Sequence, residues 1–67
     1  MTKSELIELK ETLLDALEYA RESLVNHDYQ LGRTTRKNQI RAELIEADIK
    51  AIERKIEMLN QKINEVE

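Results

Sequence analysis

The sequence predicts a mainly α protein, a two-helix antiparallel hairpin with a short hinge, spanning residues 1–67 as one domain. Three observations predict it. Apolar residues recur at steps of three and four along two long stretches, which is the pattern of helices that bury one stripe each. The single Gly lies between those stretches, inside a run of turn and cap formers. Neither stretch contains Pro, so nothing kinks it.

The first helix is expected over about residues 3–26. Thr2 followed by Glu5 reads as a capping box, with Met1 and Leu6 placed to close over it as a hydrophobic staple. Leu6, Leu9, Leu13, Leu17, Ala20 and Leu24 then form the buried stripe. Ile7 and Leu14, one heptad apart beside it, widen the apolar face beyond what one partner helix covers. Glu5, Glu8, Glu11, Asp15, Glu18 and Glu22 populate the outside, against Lys3, Lys10 and Arg21 alone.

Periodicity stops at Val25, and the hinge is expected over about residues 27–35. Thr34 or Thr35 suits the N-cap of the second helix. Tyr29, Leu31 and the two Thr residues favour extended backbone around Gly32, so a minimal β-hairpin also fits there. Tyr29 is read as the side chain that pins the hinge to the hairpin, its hydroxyl kept wet. Tyr19, off the main stripe, suits surface and interface equally.

The second helix is expected over about residues 36–66. Ile49, Ile56 and Ile63 occupy one heptad core position, and Ile45, Ile52, Leu59 and Val66 the other. At ~1.5 Å per residue this helix is ~46 Å long against ~33 Å for the first. The hairpin should therefore be uneven, with Ile63 and Val66 left exposed for another subunit. Ile52, in the middle of the seam, should be a costly position to truncate.

Composition narrows the function classes. With 67 residues, 3% aromatics and no Phe or Trp, the chain has little with which to fill a core. Chains this short bury only ~60% of their unfolded surface and rely on disulfides, metals or oligomerisation. There is no Cys and one His, which leaves oligomerisation. The lack of Cys fits a reducing compartment. No stretch has the ~20 apolar residues of a membrane span. A net charge of −3 argues against a general nucleic-acid binder.

Between Asp28 and Glu43 stand Arg33, Arg36, Lys37 and Arg41 with no acid among them. They suit a basic surface for phosphate or an acidic protein, and they also suit simple balancing of acids elsewhere on the hairpin. Bases at a helix start oppose the helix dipole, so local stability does not explain them. His27 is accounted for as a cation near a helix C-terminus. Without a nucleophile–base pair, a phosphate loop or metal-ligand spacing, no enzyme and no cofactor are expected.

The run Tyr29-Gln30-Leu31-Gly32-Arg33-Thr34-Thr35-Arg36, set between a Leu/Ala-rich helix and a long Glu/Lys/Arg/Ile helix, resembles the small phage head–tail joining proteins, the group of the lambda head-completion protein W. The likeness covers roughly residues 9–60, and Tyr29, Leu31, Gly32, Arg33, Thr35 and Arg36 carry it. Many members have a longer Gly-containing turn that builds a β-hairpin, where this chain has Gly32 alone. The resemblance implies a structural virion protein, made in the host cytoplasm. Its copies would form a ring below the portal, near packaged DNA, and present a surface to neck proteins. The rival reading from the residues is an oligomeric helical-hairpin module that regulates or inhibits a protein or RNA partner. A third is a DNA-contacting protein using the four hinge bases.

Overall fold

The structure is a computed structural model that describes residues 1–66. It contains two helices, α1 (Lys3–Gln30) and α2 (Arg36–Glu65), and no strand among the described residues. They pack side by side into a rod of 50 × 14 × 13 Å.

Local chemistry sets the ends. The capping box at the start of α1 is formed: the Glu5 N–H donates to Thr2 Oγ1 (3.2 Å) and the Thr2 N–H donates to Glu5 Oε1 (3.3 Å). The staple is not. Met1 is 77% exposed, and Leu6 turns instead into the interhelical core, at 4%. The reason is area: α2 offers Leu6 more apolar surface than one terminal side chain can.

α1 runs four residues past its expected end. Asn26 and Asp28 are poor helix formers, but each costs only a few tenths of a kcal/mol. Burial of His27 among the α1 residues that face α2 holds that turn in the helix. The helix stops at Gly32, where φ is +69°, a conformation that side chains with a Cβ avoid. The N–H groups of Leu31 and Gly32 both donate to the His27 carbonyl (2.8 and 3.2 Å), which closes the end.

The hinge is therefore residues 31–35, shorter than expected, and it holds no β-hairpin. Leu31 and Gly32 close α1 while Thr35 caps α2, accepting from the Asn38 N–H at 3.2 Å. Two residues remain, too few for paired strands. Tyr29 does not pin this hinge. It points outward from the last turn of α1 and is 91% exposed. Asn38 does that work, its side-chain amide donating to the Leu31 carbonyl (3.3 Å).

Because α1 is longer than expected, the two helices nearly match, at 28 and 30 residues. α2 does not outrun its partner, and Ile63 and Val66 are half-buried rather than exposed. Register follows from who lies level with whom. Leu13 and Leu9 share a groove with Met58 and Leu59, Ala20 shares one with Ala51 and Ile52, and Arg21 pairs with Glu53 (3.2 Å).

The core is thin. Leu6, Leu17, Ala42, Ile56 and Leu59 are its buried apolar members, and no large side chain is completely enclosed. In the Ile seam only Ile56 and Leu59 are buried; Ile45, Ile49 and Ile52 are half-covered. A single partner helix shields about one stripe, and a seam two residues wide exceeds it.

Candidate functional site

The hinge bases divide into two kinds. Arg33 is occupied within the chain. Its Nε and Nη2 donate to Asp28 Oδ1 and Oδ2 (2.9 and 2.8 Å), and its Nη1 donates to Glu46 Oε1 (2.7 Å). One planar fork thus clasps the end of α1 to α2. The Arg33 hydrogen bond is the chief cause that holds the Asp28 carboxyl down at about 2, and Asp28 in turn raises the Arg33 guanidinium above its already high value. Of the two readings of Arg33, the balancing of acids elsewhere on the hairpin is the one its contacts fit: it clasps the helices together, and the stretch without acids in sequence is not a region without acids in space. Arg36, Lys37 and Arg41 are exposed, and none of them takes part in an ion pair among the described residues.

His27 stands in the last turn of α1, as expected, and is buried there. Its Nδ1 lies 3.2 Å from Asp28 Oδ1, and since a carboxylate only accepts, that nitrogen carries the hydrogen. Its Nε2 is buried without a partner. Among the described residues no three His, Asp or Glu side chains are placed to hold a metal.

The larger features are apolar and lie along the sides of the rod. One groove runs between the helices, with Leu9, Ala16, Tyr19 and Ala20 on one bank and Ala51, Ile52, Met58 and Leu59 on the other. Tyr19, 74% exposed, stands over it. A second groove runs along the outer side of α1, between Leu14, Leu17, Arg21 and Val25. The ion pairs Arg21–Glu53 and Arg33–Glu46 cross between the helices on the side away from Tyr19, since at 100° per residue Arg21 and Tyr19 project from α1 in opposite directions.

Sequence reasoning missed the outer side of α2. Ile40, Ala47 and Met58 fall on its solvent edge, with Leu44 and Ala51 beside them, and all five are exposed. The signal was there as steps of four and three, but charged residues fill the gaps and the stronger Ile seam masks it. Neither a protein-family model, nor a curated protein, nor a solved structure matches the chain.

Proposed function

We propose that this chain is a non-enzymatic assembly subunit that acts by packing its helices against other chains, and that it serves as a head–tail connector subunit of a phage particle. One observation supports the assembly reading above the others: the hairpin leaves large apolar side chains uncovered on both helices, with Leu14, Val25, Leu44 and Met58 all open to solvent. Scattered exposed apolar residues are ordinary, but stripes at helical spacing on both edges of a rod mark contact surfaces. The connector reading adds the Tyr29–Arg36 run and its likeness to the head–tail joining group. On that reading the partners are further copies of the chain, then portal and neck proteins, and the place is the virion after assembly in the host cytoplasm. Arg36, Lys37 and Arg41 are the residues left to meet an acidic protein surface or packaged DNA.

Sedimentation over a wide concentration range, followed by mixing with portal complexes, tests it. A folded monomer that associates weakly and joins portals is the expected result. A stable dimer or tetramer at low micromolar concentration, indifferent to portals, would replace it with the self-contained regulatory module.

A further inference from the structure

The outer edges of the rod carry two ladders that match each other. On α1 the edge facing away from α2 is read at steps of four and three as Glu11, Leu14, Glu18, Glu22 and Val25. On α2 the corresponding edge reads Arg36, Ile40, Glu43, Ala47, Lys50, Arg54 and Met58, the last also bordering the groove between the helices. Every one of these side chains is exposed. Both edges mix apolar and charged rungs; the α1 charges on these rungs are all acidic, and the α2 charges are basic except Glu43, which lies outside the four rungs that meet below.

We infer that the α1 edge of one copy packs on the α2 edge of the next. The inference rests on the reading that the chain assembles with itself, and it names the surfaces. Register supports it. Within the hairpin Leu13 stands level with Met58, and Ala20 with Ala51. Copies arranged around an axis parallel to the rod keep those levels. Leu14 then meets Met58 of the next copy, Glu18 meets Arg54, Glu22 meets Lys50, and Val25 meets Ala47. Four successive rungs pair apolar with apolar and acid with base. The small Ala47 lets the larger Val25 approach within the 8–10 Å usual between packed helices. The contact joins two different surfaces, so it repeats from copy to copy and closes into a ring where the rotation allows, rather than stopping at a dimer. An edge-to-edge pairing of two α1 helices would instead set acid on acid.

Two charge-reversed proteins test this. The first carries Glu18→Lys and Glu22→Lys, and the second Lys50→Glu and Arg54→Glu. Each alone sets like charges across the contact, and self-association by sedimentation at low salt should fall about tenfold or more. Mixed one to one, the two should associate again as well as the unaltered chain, because every contact in an alternating array regains opposite charges. Helix content and urea melts should stay near those of the parent, since all four positions are exposed. Val25→Asp gives a second line: association lost, hairpin melt unchanged. A mixture that fails to recover overturns the inference, as does a parent chain monomeric to millimolar concentration. So does a parent that stops at a dimer indifferent to these reversals, which is the outcome for copies that meet through the Tyr19 groove. Portal binding is scored separately: a chain that packs by its edges yet ignores portals removes the connector reading alone, and one that binds portals without recovery in the mixture removes the inference alone.

Discussion

Truncating two isoleucines of one seam should give different costs, and the ratio reports what unit folds. Ile56 is 8% exposed, whereas Ile52, four residues earlier, is half-covered. Ile→Ala removes three carbons, at ~0.8 kcal/mol for each when fully buried. Ile56→Ala should therefore cost ~2–3 kcal/mol; the cavity adds little, because a rod of two helices can settle around it. Ile52→Ala should cost roughly half as much, ~1 kcal/mol, since part of its surface is wet already. A 67-residue chain has a total stability on the order of 3–10 kcal/mol, so the first change removes a large share. The assay is urea unfolding followed by helix content at low micromolar protein, with equal slopes confirming that both variants unfold from the same compact state. In thermal melts the two should separate by ~4–12 °C. Equal losses at both positions would refute the reasoning. They would mean that Ile52 is covered by a second chain even at low concentration, and that the hairpin is not the unit that folds.

Gly32→Val should destabilise by ~1–2 kcal/mol in the same melts: a Cβ at Gly32 meets nothing within 4 Å, so the cost is the +69° φ alone, and Gly32→Asn should recover much of it. Thr2→Ala should cost ~1 kcal/mol by loss of the N-cap, and amide exchange should rise over the first turn of α1 while the hinge end stays protected. The Asp28 carboxyl titrates at about 2 in the folded chain, below its ordinary 3.8, chiefly because Arg33 hydrogen-bonds to it. Its contribution is thus present above about pH 4 and disappears as the pH falls through about 2, so the stability gap between the parent and Asp28→Asn should narrow over that window and not above it. His27→Leu should raise stability, by ~1 kcal/mol, because it removes a buried nitrogen with no partner and keeps an apolar body of similar size; a melt lowered by that much would show that the Nδ1 contact with Asp28 outweighs the orphaned Nε2.

What was legible in the sequence is what short-range chemistry decides. The Thr2–Glu5 box, the Thr35 cap and the left-handed Gly32 each depend on residues within three or four positions, and the helix starts at Lys3 and Arg36 follow from them. Burial was less legible, because it depends on where two cylinders touch. Ala42 is 0% exposed and His27 is buried, yet neither residue type announces a core. Both lie within about two turns of the five-residue hinge, where short linkage holds the helices close together and a small side chain such as Ala42 fits. Ile52 fails the opposite way, strongly apolar and only half-covered. The hinge was misread through composition: Asn, Asp, Tyr and Thr suggest turn and strand, but the helix had more to gain from covering His27 than it lost to weak propensity.

Arg33 links these points to assembly. In sequence it heads a run of four bases; in space it is spent on Asp28 and Glu46. Neutralising it therefore has two separable consequences. Arg33→Gln should loosen the end of α1 and raise the Asp28 carboxyl toward its ordinary value, whereas Arg36→Gln and Lys37→Gln should leave the hairpin unchanged. A surface that binds an acidic partner through Arg36, Lys37 and Arg41 should weaken with each of the latter changes and with added salt. If binding instead falls with Arg33→Gln and with neither neighbour, the partner recognises the shape of the clasped hinge rather than its charge. The acid edge of α1 and the mostly basic edge of α2 would then keep their charges for the contact between copies inferred above, which Arg33→Gln leaves untouched.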